Sequence, residues 1–181
     1  TTAMSLALKI MAASHDIEHA SLTSVHAYTS DQSLQDYAGA DYRRSRSGAK
    51  NIIPNDTPAP YWVGRAIPAL ADKLSGYTLN VPVQVGSMLD LTFALKGDPG
   101  DIEQVNDIYR GAALRQPNLV QVTDDPIVSS DVRGCDQSLL VDLRATMRAG
   151  VHMIKVLAWH ESLGQAHRIL DVVKHYGELD A

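Results

Sequence analysis

Cysteine is nearly absent from the 181-residue sequence: the single Cys135 excludes an intrachain disulfide framework and a cysteine-rich zinc module. Basic residues are outnumbered, with 16 Lys and Arg against 21 Asp and Glu, and the longest basic run is Arg43-Arg44. A chain of net charge −5 lacks the electrostatics of a general nucleic-acid binder. No segment approaches the roughly 18 consecutive apolar residues that a membrane span needs. We therefore expect no nucleic-acid partner, no membrane span, and a reducing compartment, either the cytoplasm or an organellar matrix or stroma.

Three sequence signals are also missing. No Gly-x-Gly-x-x-Gly follows a strand pattern, so we expect no dinucleotide-binding Rossmann half in this chain. No basic segment precedes an apolar one near the start, so no signal peptide is expected. The chain opens at Thr1 without an initiator Met, and we expect that an upstream segment was removed or that the chain is part of a larger one.

The sequence contains enough apolar residues to form a hydrophobic core. Apolar residues make up 45% of the sequence, which excludes intrinsic disorder. The length suits one domain or at most two small ones, and no repeat or Gly/Ser-rich linker divides it. We therefore treat residues 1–181 as a single domain.

Hydrophobic periodicity predicts alternating helices and strands. Predicted helices cover Met4–Ala13, Pro58–Leu74 with a stop at Gly76, Asp101–Leu114, and Leu163–Tyr176 with Ile169, Val172 and Val173 facing inward. Predicted strands cover Leu22–Thr29, Asn51–Pro54 as a very short apolar element, Tyr77–Val83, Ser87–Leu95, Leu119–Val122, Leu139–Thr146 and His152–Trp159. Hairpin-joined strands with helices grouped between them favour an α+β fold, in which helices cover one face of a largely antiparallel sheet.

Several segments, in order along the chain, resemble the C-terminal, catalytic domain of the glyceraldehyde-3-phosphate dehydrogenase family. They are Ser24-Val25-His26-Ala27-Tyr28-Thr29, Ser47-Gly48-Ala49-Lys50-Asn51-Ile52-Ile53-Pro54, Asp90-Leu91-Thr92, Val128-Ser129-Ser130-Asp131 and Gly164…Arg168. Each segment alone is weak evidence, but their order and spacing together make a specific match. The resemblance implies that family's α+β catalytic domain.

The resemblance also implies a catalytic site. In the family, a Cys in a Ser-Cys-Thr-Thr-Asn-Cys run attacks the aldehyde, and a His about 27 residues later takes its proton. Thr1-Thr2-Ala3 looks like the remainder of that run, and His26 matches the family's histidine. The nucleophile would lie just before Thr1, so His26 alone has no thiol to deprotonate and is interpreted as a relic of the general base. Cys135 lies far along the chain and is interpreted as an inert thiol.

The family holds two phosphates with threonine and arginine side chains. Thr29 and Thr57 match threonines of those sites, and Arg43 and Arg46 are near enough in sequence to assist. Two changes weaken the expected phosphate sites. Asn80 replaces the arginine that precedes Val-Pro in the family, and Pro58 replaces a glycine whose N–H can donate, which proline cannot.

The nicotinamide contact departs from the family pattern as well. The family's Asp-Asn-Glu-aromatic-Gly-Tyr run corresponds to residues 160–165, where Glu161 stands in place of the Asn that holds the nicotinamide amide. An ionised Glu can only accept hydrogen bonds. We therefore expect no cofactor-binding residues in this chain. A metal site is not expected either, since His152 and His160 are eight residues apart without helical His-x-x-x-His spacing.

Two functions remain open. The chain is either a structural or assembly subunit that keeps the family's fold, or the C-terminal half of an active NAD-dependent phosphorylating aldehyde dehydrogenase. The internal changes at Asn80, Pro58 and Glu161 favour the structural subunit, since truncation cannot produce them. The polar segment Ser30–Lys50 matches the family's S-shaped loop, which is either a solvated surface or an assembly element. We expect a homo-oligomer or a larger protein assembly.

Overall fold

The computed structural model describes residues 1–179. Its helices are α1 (Thr2–Ala12), α2 (Ala59–Ala66), α3 (Ile102–Arg115) and α4 (Ser162–Leu179), with short 3-10 turns at Pro68–Leu70 and Ser129–Val132. Its strands are β1 (Ile17–Ala27), β2 (Ile53–Asp56), β3 (Leu74–Val81), β4 (Ser87–Leu95), β5 (Val120–Thr123), β6 (Leu139–Arg148) and β7 (Met153–His160).

These strands form one sheet in the order β2-β3-β1-β4-β7-β6-β5. Strand β1 pairs parallel with β3, and β5 pairs parallel with β6, whereas the other neighbours are antiparallel. The mixed, mainly antiparallel pairing with separate helices confirms the predicted α+β fold. The predicted hairpin of β6 and β7 is also confirmed.

The core lies between one sheet face and the helices α1 and α3. Strand β4 alternates as predicted and buries Leu89, Leu91 and Phe93 on that face. Helix α1 contributes Met4, Leu8 and Met11, which are almost wholly buried in the same cluster. Each such side chain stabilises the fold by roughly 1.5–3 kcal/mol on burial. This packing fixes the start of α1 above the end of β1.

Helix α3 carries its own start signal. The Asp101 carboxylate accepts a hydrogen bond from the Gln104 N–H at 2.8 Å, and the Gln104 side chain accepts one from the Asp101 N–H at 2.8 Å. This reciprocal pair satisfies two amides that the first helical turn leaves without partners. From α3, Tyr109 enters the core and donates to the Ala7 carbonyl at 3.3 Å, and burial raises the pKa of this phenol.

The predicted helix Pro58–Leu74 is wrong in its second half. Helix α2 ends at Ala66, because Pro68 lacks an N–H and pushes Ile67 out of the helical region to φ −129° and ψ 82°. Leu74 already begins strand β3, and Gly76 lies inside that strand. A Cβ at Gly76 would press on the Leu22 carbonyl oxygen at 2.7 Å, so the glycine permits close pairing with β1.

The predicted inward stripe of the last helix is also wrong. Ile169, Val172 and Val173 are 58%, 54% and 62% exposed. Gly164 is the buried residue of α4, and a Cβ there would collide with the Gln137 carbonyl oxygen. The helix therefore contacts the segment before β6 within its first two turns, and its remaining length lies on the surface. Its apolar spacing predicted a buried face, but no element of the described chain covers that face.

Residues 28–52 contain no helix or strand, and they include all of the polar segment Ser30–Lys50 that was predicted as a loop. Side chains order the segment instead. The Asp36 carboxylate accepts from the Ser47 N–H at 2.7 Å, and the Ser47 hydroxyl donates to the Leu34 carbonyl at 2.7 Å. These bonds fold the segment back on itself, and Gln32 joins it to Asn80 near the end of β3.

Candidate active site

The predicted base, His26, is the second-last residue of β1, an interior strand that lies between β3 and β4. Its Nδ1 lies 2.7 Å from the Ala27 carbonyl oxygen. A carbonyl can only accept, so Nδ1 carries the proton and donates. In the neutral ring, Nε2 is then the unprotonated nitrogen. The backbone thus fixes the tautomer that a general base needs.

His26 lies on the boundary between two clefts, which share it with Thr57 and Thr78. The first, of about 460 Å³, we call the helix-end cleft. Its lining includes Thr1, Thr2, His26, His160, Glu161 and Gln165. The second, of about 510 Å³, we call the amide cleft, and its lining includes Thr29, Gln32, Asn55, Thr57 and Asn80. The fold therefore brings His26 together with both predicted threonines.

The helix-end cleft lies where two helices begin. The Thr2 hydroxyl at the start of α1 donates to the Gln165 side-chain oxygen in the first turn of α4, at 2.7 Å. The Glu161 carboxylate accepts from the Leu163 N–H at 2.9 Å, so it serves the start of α4. Helix starts present N–H groups and partial positive charge. The cleft is consequently suited to negative charge that develops on a bound group.

A second imidazole, His160, stands beside His26 in the same cleft. The ring centroids are 6.0 Å apart, and the ring planes meet at 64°, an edge-to-face arrangement. Burial, with a smaller contribution from charge on His26, lowers the pKa of His160 to about 4. His160 is therefore neutral at physiological pH. From the sequence, His160 is expected to hold no metal and is the first residue of the run 160–165, and no role beside His26 was predicted for it. The signal for its place here is the match of residues 160–165 to the family run.

The amide cleft is organised by one side-chain oxygen. The Gln32 Oε1 accepts from the Thr29 N–H at 2.9 Å, from the Thr29 hydroxyl at 3.1 Å and from the Asn80 amide at 3.3 Å. The Asn55 amide in turn donates to the Asn80 carbonyl oxygen. Gln32 and Asn80 are each only 7% exposed. Neutral amides therefore occupy the position where the resemblance expects a guanidinium. No sequence pattern indicated Gln32, which lies in the irregular segment.

The predicted phosphate ligands are divided between two places. Thr29, Thr57 and Arg43 line the amide cleft, and the Thr57 hydroxyl accepts from the Ala59 N–H at 3.3 Å. Arg46 lies elsewhere. Its guanidinium pairs with the Asp36 carboxylate at 3.1 Å, in a separate surface depression lined by Ser47 and Lys50.

Charges around the amide cleft are mixed. Its lining includes the carboxylates of Asp31, Asp41 and Asp56 and the guanidiniums of Arg43 and Arg44. Arg44 and Asp31 approach to 3.9 Å, and both are largely exposed. The Asp41 carboxylate accepts hydrogen bonds from the backbone N–H groups of Arg43 and Arg44, at 2.9 and 3.1 Å. The carboxylates outnumber the guanidiniums, so this cleft is not a strongly cationic anion trap.

The lone thiol lies outside both clefts. The Cys135 sulfur is 3.4 Å from the Gln137 side-chain oxygen, and burial raises the pKa of the thiol. A raised pKa reduces the thiolate that a nucleophile needs. Within residues 1–179, no group of three or more His, Cys, Asp or Glu side chains is arranged to hold a metal ion. No helix of that part of the chain is long and apolar enough to cross a membrane.

Comparisons with known proteins agree on one family. Residues 1–162 match the family described as "Glyceraldehyde 3-phosphate dehydrogenase, C-terminal domain". The chain is 39% identical over 170 residues to a glyceraldehyde-3-phosphate dehydrogenase of Borreliella burgdorferi, covering 92% of the chain and 50% of that protein. It is 38% identical over 176 residues to the enzyme of Kitasatospora aureofaciens, covering 96% and 52%. It is 38% identical over 159 residues to the glyceraldehyde-3-phosphate dehydrogenase of Mycobacterium avium, covering 87% of the chain and 46% of that protein. The chain thus spans about half the length of these curated relatives.

Proposed function

Because the chain belongs to the family of glyceraldehyde 3-phosphate dehydrogenase C-terminal domains, we propose that it is the aldehyde-binding, acid–base half of an NAD-dependent aldehyde dehydrogenase. A separate half would bind the cofactor. The observation that carries this proposal is the arrangement of His26. Its proton is held on Nδ1 by the Ala27 carbonyl, and Nε2 is left to act beside the start of α1.

In this proposal His26 removes a proton from the nucleophilic thiol that the resemblance places immediately before Thr1. The start of α1 lowers the cost of negative charge on that thiol and on the oxygen of the attacked aldehyde. NAD, when bound, supplies the hydride acceptor. Neutral His160 beside His26 adds no positive charge that would hinder protonation of the base.

The exposed apolar face of α4 supports the proposal that a separate cofactor-binding half packs against this chain. Its large apolar side chains are 38% to 67% exposed, and they are Leu163, Ile169, Leu170, Val172, Val173, Tyr176 and Leu179. A contiguous apolar surface of this kind marks an interaction site. We propose that the cofactor-binding half covers it.

We also propose an oligomer, through the sheet face opposite α1 and α3. Tyr77, Met147 and Met153 are 48%, 50% and 41% exposed on strands of that face. The Lys155 ammonium and the Asp90 carboxylate pair there at 2.7 Å, with the other Asp90 oxygen buried and without a partner. A second copy would cover this surface.

The chemistry of the single thiol fits a reducing compartment such as the bacterial cytoplasm.

The second candidate function is a structural or assembly subunit. The observation that favours it is Glu161, whose carboxylate is engaged by the Leu163 N–H and cannot donate to a nicotinamide amide. Under this alternative the clefts are relics, and His26 has no substrate.

The test is an assay of the polypeptide as its source makes it, with NAD, phosphate and a panel of short aldehydes. NADH formation above a buffer blank supports the enzyme, and its absence with every aldehyde supports the structural subunit. The native mass adds an independent readout. A native polypeptide near 19.7 kDa would exclude a covalently attached cofactor half. The 181-residue chain alone is expected to form no NADH.

A further inference from the structure

Hydrogen-bond directions in the amide cleft decide what it can hold. A phosphate dianion offers only acceptor oxygens, so its site must present donors. The Thr29 hydroxyl donates its hydrogen to the Gln32 Oε1 atom, so towards the cleft its oxygen can only accept a hydrogen bond. Pro58 contributes no N–H. Thr29 and Pro58 therefore offer a phosphate oxygen no hydrogen bond.

Asn80 is held in place by both ends of its amide. Its nitrogen donates to Gln32 at 3.3 Å, and its oxygen accepts from Asn55. The amide keeps one further hydrogen, and it carries no charge. The Gln32 nitrogen and the Asn55 oxygen remain as neighbouring donor and acceptor. The buried base of the cleft thus mixes donors and acceptors and lacks a cation.

The rim repeats this pattern. The carboxylates of Asp31, Asp41 and Asp56 line the same cleft as Arg43 and Arg44. Ionised carboxylates accept hydrogen bonds and repel a dianion, whereas a hydroxyl group can donate to them and can also accept from an amide. A row of hydroxyls therefore fits every kind of group present.

We propose that the Gln32–Asn55–Asn80 cluster makes the amide cleft a site for the uncharged, hydroxylated end of an aldehyde, in preference to a phosphorylated end. This inference deepens the proposed function, since it names the substrate class of the same site: a short hydroxyaldehyde without a phosphate group. Asn80 is the specificity-determining residue, and Gln32 and Asn55 fix its orientation.

The experiment titrates the isotope-labelled 181-residue chain with a matched pair of probes, glycerol and glycerol 3-phosphate. The readout is the side-chain amide NMR signals of Gln32, Asn55 and Asn80. Because it needs no activity, it can fail while NADH is still formed, and it can succeed where no NADH is formed. Failure of this inference and failure of the proposed function are therefore distinguishable.

The expected result is that glycerol shifts these signals and that glycerol 3-phosphate binds no more tightly than glycerol. In Asn80→Arg, glycerol 3-phosphate should bind at least about tenfold more tightly than in the original chain, as a charged hydrogen bond requires. The matched control is Asn118→Arg, the same charge change at an exposed turn outside both clefts. It should leave both affinities unchanged.

Two results would overturn the inference. One is tighter binding of glycerol 3-phosphate than of glycerol by the original chain, beyond the error of the titration. The other is the absence of any shift at the three amide side chains with either probe at about 100 mM, well above the millimolar range of weak binding. Both results come from the original chain, so they hold even if Asn80→Arg fails to fold.

Discussion

The helix-end cleft and the amide cleft lie on either side of His26, yet they depend on different parts of the chain. In the helix-end cleft, backbone features set the chemistry: a carbonyl orients His26, and two helix starts face the same space. In the amide cleft, side chains determine the chemistry, because the Gln32 side-chain oxygen accepts hydrogen bonds from both Thr29 and Asn80. Substitution can change recognition in the amide cleft while the acid–base geometry stays intact. Under the proposed function the chain fits this division, because His26 matches the histidine that the resemblance implies and Asn80 stands where the resemblance implies an arginine.

The largest expected effect is on the helix-end cleft. His26→Asn keeps a donor near the position of Nδ1, for the Ala27 carbonyl, but removes Nε2. In the complete polypeptide, kcat for aldehyde oxidation should fall by about 10²–10⁴, the usual contribution of a positioned base. Initial rates of NADH formation measure this.

The control is His152→Asn, the same change at an exposed histidine in the turn between β6 and β7, whose Nδ1 also lies near a backbone carbonyl, that of Gly97, at 3.2 Å. It should leave kcat within about twofold of the original, far less than the loss of a base produces. An unchanged kcat in His26→Asn would remove the helix-end cleft from the mechanism and with it the contrast between the two clefts.

The next effect is the dependence of stability on pH through His160. The folded protein holds the pKa of His160 at about 4, below the ordinary value of about 6.5. The unfolded chain therefore binds the proton more readily, and stability decreases as the pH falls from about 6.5 towards 4. The loss should reach at most about 3 kcal/mol.

Urea unfolding at pH 7 and near pH 4.5 measures this loss, with His160→Asn as the comparison. The variant should lose less stability over that interval, because the substituted amide does not titrate. Equal losses in both proteins would show that His160 is not held neutral in the helix-end cleft.

A smaller effect should appear in the amide cleft. Gln32→Leu removes the acceptor of three donors, two on Thr29 and one on Asn80. Buried donors without partners cost about 1–3 kcal/mol, and urea unfolding should show a decrease of that size. Gln35→Leu, at an exposed position of the same segment, is the matched control and should change stability by less than about 0.5 kcal/mol.

The same variant tests whether the two clefts are separable. The ring NMR signals of His26 should stay unchanged in Gln32→Leu, because the Ala27 carbonyl holds that ring. A shift of those signals as large as in a helix-end variant would mean that the clefts form a single network.

Local patterns predicted much of the fold. Alternation located β4, and helical apolar spacing located α3 within Asp101–Leu114, since both signals act within a few residues. The end of α2 was missed, although Pro68 carried the information, because the apolar spacing continues past it. The exposure of α4 could not be predicted. An apolar stripe has the same sequence whether its cover comes from the chain itself or from another surface.

The candidate site shows the same limit. His26 was found because it lies within a contiguous stretch that resembles the family. Gln32 was missed because its partner Asn80 is 48 positions away and its own segment has no periodicity. Arg46 was proposed from sequence proximity alone, and its pairing with Asp36 depends on how the irregular segment folds back.

The most direct test of the contrast between the clefts is titration calorimetry of the 181-residue chain with inorganic phosphate. An amide cleft without its arginine should bind phosphate at millimolar concentration, near −4 kcal/mol, and Asn80→Arg should bind it at least severalfold more tightly. Micromolar binding by the original chain would contradict the account. The amide cleft would then be a working phosphate site, and the replacement of the expected arginine by Asn80 would not have changed recognition.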